Sequence, residues 1–150
     1  MSRYRNALPQ LSGGPFITDG GLETTLIYHD GLDLPHFAAF VLLDDPERKA
    51  ILERYFARYA EIGRTNDVGV VLESATWRAN PDWAAKLGYD AEALARIYRA
   101  SIDQLLAIRA RYETPRTPIV VSGNLGPRGD GYRPDMRMSA AEAAAYHGPQ

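Results

Sequence analysis

Asp19-Gly20-Gly21-Leu22-Glu23 sets two carboxylates beside a glycine pair, directly after the apolar run Pro15-Phe16-Ile17-Thr18. An aspartate at the C-terminal end of a buried strand points its carboxylate toward open space. The glycines allow a sharp turn and close approach of a ligand. In an α/β protein, ligands sit at that end of the sheet. The carboxylates could hold an ammonium group or act as an acid/base pair, but nothing nearby supports hydrolysis. Asp-Gly is also a common turn signal, and local sequence alone leaves that reading open.

Two further segments carry the same kind of residues. One is Glu73-Ser74-Ala75-Thr76-Trp77-Arg78-Ala79-Asn80, and the other runs from Gly123-Asn124-Leu125-Gly126-Pro127 to Gly131. Each follows an apolar run that reads as a strand, and in a parallel sheet or barrel the three segments converge on one face. Together they suit a small zwitterion such as an amino acid. Asp19 would bind the ammonium, and Ser74, Thr76 or loop amides the carboxylate. Plainer readings stand beside these. Glu73 could be a strand-end charge, Trp77 could pack on Trp83 or line a pocket, and Gly126-Pro127 could be turn punctuation. No G-K-[ST] follows the glycine-rich loop, which argues against a phosphate site. His29, His36 and His147 lack metal-ligand spacing and read as surface or core histidines.

The elements that must position these segments follow from periodicity. Residues 1–14 are polar and form an arm. Phe16 to Thr18 is the first strand, Thr24 to His29 a short helix or turn, and the apolar stretch Phe37 to Leu43 a cover. Asp45-Pro46 opens a helix with Ile51, Leu52, Tyr55, Phe56, Tyr59 and Ile62 on one face, which Gly63 is expected to stop. Val68 to Leu72 is a second strand, buried on both faces. Asn80-Pro81 starts a short helix ending near Gly88. Asp90 caps a longer one with Leu94, Ile97, Tyr98, Ile102, Leu105, Ile108 and Tyr112 on one face. Pro118 to Ser122 is the third strand. Ser139-Ala140-Ala141-Glu142 is a capping box that starts another helix. Strands alternating with amphipathic helices predict a parallel α/β sheet with right-handed crossovers.

Composition removes several classes of function. The chain has 150 residues, 45% hydrophobic and 24% charged, with a net charge of −2. That balance is typical of a globular protein and gives no case for nucleic acid as a partner. No apolar run approaches the ~20 residues of a membrane span, and no apolar leader follows the N-terminus, so the expected location is cytoplasmic. There are no cysteines. That excludes disulfides, a thiol nucleophile and cysteine-ligated metal within the chain.

Asp19-Gly20-Gly21-Leu22-Glu23-Thr24 resembles the opening motif of the homocysteine S-methyltransferases, the group that includes betaine–homocysteine methyltransferase. The resemblance continues through Tyr59-Ala60-Glu61-Ile62-Gly63, Leu72 to Asn80, Gly123-Asn124-Leu125-Gly126-Pro127 and Tyr146-His147-Gly148-Pro149-Gln150, spanning about residues 15–150. It implies the N-terminal part of a (β/α)8 TIM barrel, about three βα units. It also implies methyl transfer to the thiol of homocysteine, giving methionine, with S-methylmethionine, S-adenosylmethionine or betaine as donor. Family enzymes hold zinc through three cysteines, and zinc makes the thiol a thiolate. By this resemblance the substrate-binding residues are Asp19, Gly20, Gly21, Glu23, Ser74, Thr76, Trp77 and Asn124. Asp19 takes the amino group, Ser74 and Thr76 lie beside the substrate, and Trp77 lines the donor side.

The chain departs from the family in two ways: it lacks the zinc cysteines, and it is shorter than the ~250 residues of a barrel. The expectation is therefore the N-terminal portion of a longer enzyme, a truncated product or a fragment. Alone it should be marginally stable, prone to associate through open edges, and inactive as a methyltransferase. Two other readings are a non-catalytic amino-acid-binding module and an interaction fragment, either homo-oligomeric or paired with a complementary half-barrel.

Overall fold

The computed structural model describes residues 3–132 and 137–150. Three short strands form one parallel sheet in the order β1-β2-β3: β1 Phe16–Thr18, β2 Gly69–Glu73 and β3 Ile119–Ser122. Val70 is in register with Ile17 on one side and Ile119 on the other. The helices are α1 Leu22–Thr24, α2 Pro46–Asn66, α3 Pro81–Ala85, α4 Ala91–Tyr112 and α5 Ala140–His147. The expected alternation of strands and helices is present, with the parallel pairing it implies.

The helix starts follow their capping residues. Asp45 accepts from the backbone N–H groups of Glu47 and Arg48, Asn80 from Trp83, and Asp90 from Ala93. Ser139 and Glu142 form the reciprocal capping box. Each cap satisfies N–H groups that the first helical turn leaves without a partner. The segment between β1 and α2 is less regular. It holds a π-helical turn at Thr25–His29 and 3-10 turns at Pro35–Phe37 and Ala39–Asp44. Phe40 and Leu42 are fully buried there, so the stretch does cover the core.

Helix α2 differs from expectation at its end. It passes through Gly63 and stops at Asn66, where Asp67 adopts φ +54° and donates its N–H to the Gly63 carbonyl. Aspartate tolerates this left-handed cap. Gly63 instead serves close approach: a Cβ there would lie 2.2 Å from Val70 Cγ2. The glycine lets α2 sit directly on β2. Ile62, assigned to the inner face, is half exposed, and Ala60 and Gly63 take the buried positions. On α4 the buried stripe includes Ser101 and Gln104, and Gln104 Nε2 donates to the Lys49 carbonyl at 2.9 Å. The N-terminal segment is tied down by Arg3 and Tyr4, whose side chains both bond to Glu113.

Gly63→Ala should destabilise the fold by about 1–3 kcal/mol, because the added methyl overpacks a filled contact. Urea unfolding followed by circular dichroism reads this as a lower midpoint with an unchanged slope.

Candidate functional site

The three strand ends are stitched together by side chains. Asp19 follows β1, and its Oδ1 accepts the Glu73 N–H at the end of β2 at 2.8 Å. Across the next gap, Ser74 Oγ accepts the Asn124 N–H at 2.8 Å. Thr76 Oγ1 donates to the Asn124 carbonyl at 2.7 Å and lies 2.7 Å from Ser74 Oγ. A threonine hydroxyl has one proton, so Ser74 must donate to Thr76. Both hydroxyl protons are thereby spent inside the protein. Asn124 Nδ2 also donates to Glu73 Oε2 at 3.3 Å.

The glycine pair is held with equal care. Tyr55 and Tyr59, one turn apart on α2, both donate to the Gly20 carbonyl, at 2.7 and 3.0 Å. Gly21 takes φ +61° and leads into α1, a conformation that disfavours a side chain. The peptide is trans, so the Gly21 N–H points away from the two tyrosines. A Cβ on Gly20 would meet no protein atom within 4 Å.

Above these strand ends lies a cavity of about 730 Å³. Asp19, Gly20, Gly21, Glu23, Ser74, Trp77 and Asn124 all line it, so seven of the eight sequence-derived residues are brought together. Thr76 stands behind Ser74, 5% exposed, against a separate small cavity. The volume falls in the range of small-molecule sites. Burial pushes the Asp19 carboxyl up to about 6, with the nearby Glu73 charge adding to the rise and the Glu73 N–H opposing it. Burial also raises Glu23, against the pull of the Arg78 charge. Tyr55 is raised as well, first by burial and then by the neighbouring Tyr59 hydroxyl and the Asp19 charge.

Sequence reasoning passed over several wall residues. Arg78 was quoted within its segment and given no role, yet it lines the cavity and is 8% exposed. Its guanidinium carbon lies 4.1 Å from the ring centroids of both Trp77 and Trp83. The tryptophans thus each face Arg78, and both line the cavity. Trp83 Nε1 and Arg78 Nη1 donate to the Gly129 carbonyl, at 3.0 and 3.2 Å. His36, read as a bland histidine, also lines the cavity, at φ +57° with its ring 5.6 Å from that of Trp83. No local sequence signal marks His36, because its left-handed backbone is set by the fold. Gly126 has a packing role beyond turn punctuation: a Cβ there would fall 1.7 Å from the Trp77 carbonyl oxygen. Asn80 is fully buried and takes a hydrogen bond from Tyr146 on α5 at 2.8 Å, which fastens this wall to the last helix.

No group of three or more His, Cys, Asp or Glu among the described residues could hold a metal ion. With no cysteine in the sequence, a thiolate-ligated zinc does not fit these side chains.

The sequence pattern described as homocysteine S-methyltransferase matches residues 16–150. Among solved structures, the metallated form of the homocysteine methyltransferase MmuM from Escherichia coli matches with a TM-score of 0.66 at 24% identity, over 93% of this chain and 50% of that one. Its oxidized form matches with a TM-score of 0.64 at 24% identity, over 88% of this chain and 46% of that one. At this identity the likeness speaks for the fold, and the chain spans about half the length of those proteins. No curated protein sequence matches. With the pattern running from β1 through α5, the chain belongs to the homocysteine S-methyltransferase family.

Proposed function

We propose that this chain is the homocysteine-recognition part of an enzyme that methylates the homocysteine thiol to give methionine. The carrying observation is a cavity at the C-terminal ends of three parallel strands, with the Asp19 carboxylate in its wall, in a chain of this family. In this reading residues 1–14 are an arm and residues 15–150 are the first three βα units of a (β/α)8 barrel. The barrel places its reactive groups at that same strand end.

Each wall residue then has a task. Asp19 holds the substrate ammonium, with Glu23 adding negative charge nearby. Gly20 and Gly21 leave room for the substrate backbone. Ser74 and Asn124 form the floor, and Thr76 fixes Ser74 from behind. Trp77 lines the side from which the methyl donor approaches. S-methylmethionine, S-adenosylmethionine and betaine all carry a positive centre suited to an aromatic wall. Thiol activation is not assigned to these residues, since the side chains present do not suit the zinc that supplies it in the family. That mismatch favours a second reading, amino-acid binding without turnover by the chain alone. The sheet edges at β1 and β3 would then receive the remaining strands of a barrel or a second copy. No helix among the described residues is long and apolar enough to cross a membrane.

Calorimetric titration with L-homocysteine tests this directly. Binding is expected, weakened about tenfold or more in Asp19→Asn. Absence of binding contradicts the reading, and rapid methionine formation by this chain with donor and zinc contradicts the division of labour. Gly20→Ala should leave the unfolding free energy within about 0.5 kcal/mol of the parent, since its methyl meets no protein atom within 4 Å, yet weaken homocysteine binding.

The raised Asp19 pKa fixes the sign of a pH effect. Its folded value of about 6 exceeds the ordinary aspartate value of 3.8, so its stabilising contribution is full below that lower value and is lost as pH rises through 6. Asp19→Asn should match the parent near pH 4 and exceed it by about 1 kcal/mol at pH 7, a figure reduced for partial solvent screening. Thermal melts across that range read the divergence. Ammonium binding should strengthen in the parent over the same interval, as the carboxylate ionises.

A further inference from the structure

Arg78 is a buried cation with no carboxylate partner among the described residues. Among the described residues, its guanidinium makes one hydrogen bond, to the neutral Gly129 carbonyl, and no acidic oxygen lies within 4 Å. Its Nε is sealed from solvent and has no acceptor among the described residues. The two indole faces at 4.1 Å stabilise the charge and hold the planar group in place. They supply no acceptor for its N–H groups. Buried charges are ordinarily both paired and hydrogen-bonded.

The surroundings sharpen the contrast. Among the described residues four carboxylates line the same cavity, Asp19, Glu23, Glu73 and Asp130, and Arg78 is the one arginine or lysine that does so. None of these four forms an ion pair with it. Glu23 is close enough for its ionisation to be favoured by the Arg78 charge, but not close enough for an ion pair. The hydroxyl protons of Ser74 and Thr76, the other candidates for a carboxylate partner, are already committed within the protein. A fork of donors fixed between two rings is suited to a planar anion.

We propose that Arg78 is the carboxylate-binding residue of this cavity, so that the site grips an α-amino acid at both ends, ammonium at Asp19 and carboxylate at Arg78. This rests on the amino-acid reading of the cavity given above. It assigns to Arg78 the recognition that the residue types alone suggested for Ser74, Thr76 or loop amides. It also makes the α-carboxylate a requirement for binding: simple aminothiols should be poor ligands.

The test compares two ligands on three proteins by calorimetry. The ligands are L-homocysteine and its decarboxylated analogue, an aminopropanethiol, and the proteins are the parent chain, Arg78→Gln and Arg78→Lys. The parent should bind homocysteine about tenfold or more tightly than the analogue. Arg78→Gln should lose that preference while keeping its affinity for the analogue, and Arg78→Lys should recover part of it. A merely structural Arg78 would weaken both ligands alike, and that outcome, or an unchanged preference in Arg78→Gln, overturns the proposal. Should Arg78→Gln fail to fold, the Arg78→Lys comparison carries the same discrimination, because lysine keeps the charge but loses the fork. L-methionine separates the proposal from the reading beneath it. Methionine bound with Arg78 dependence while homocysteine is not bound would retain Arg78 and remove the substrate assignment. Binding of neither would overturn both.

Discussion

The hydrogen bond from the Glu73 N–H to the Asp19 carboxylate is the interaction on which the site depends. It ties the end of β1 to the end of β2 just where the ladder gives out. In doing so it holds a carboxylate half-buried beside two other acidic residues, and burial there raises its pKa to about 6. The backbone donor offsets part of that cost and leaves the other oxygen free of this bond. A cation arriving in the cavity would offset the remainder. Strand pairing and ligand affinity thus meet in one side chain.

Around that bond the chain spends much of its polar chemistry on holding loops still. Tyr55 and Tyr59 fix the Gly20 carbonyl from α2. Ser74, Thr76 and Asn124 lock the second and third strand ends together. Tyr98 and Gln150 both donate to the Ala79 carbonyl, and Tyr146 holds Asn80. A site whose groups are fixed before the ligand arrives loses less entropy on binding. The same rigidity explains why hydroxyls that look available in the sequence are already occupied in the fold, whereas Arg78 has no anionic partner among the described residues.

Much of the fold was legible because its signals are local. Asp45, Asn80, Asp90 and Ser139 announce their helices through capping that depends on only a few neighbouring residues. The three strands are apolar runs too short and too β-branched to be helices. Gly63 was misread because a stop glycine and a packing glycine look alike in one dimension, and only the Val70 methyl distinguishes them. The stretch from Thr25 to Asp44 has apolar residues without a clear period, so its π and 3-10 turns were not foreseeable. In the site, Asp-Gly-Gly and the strand-end positions marked the wall. The burial of Arg78 and the contact of His36 with Trp83 depend on segments far apart in sequence, and no local pattern encodes them.

The central claim is that Asp19 is a strained carboxylate kept for a cationic group. Carbon-detected NMR of the Asp19 side-chain carboxyl, titrated with and without L-homocysteine, measures this directly. The expected result is a pKa near 6 in the free protein that falls on ligand addition, because an ammonium partner favours the ionised form. A free-protein pKa close to the ordinary aspartate value of 3.8, unmoved by homocysteine, would contradict it.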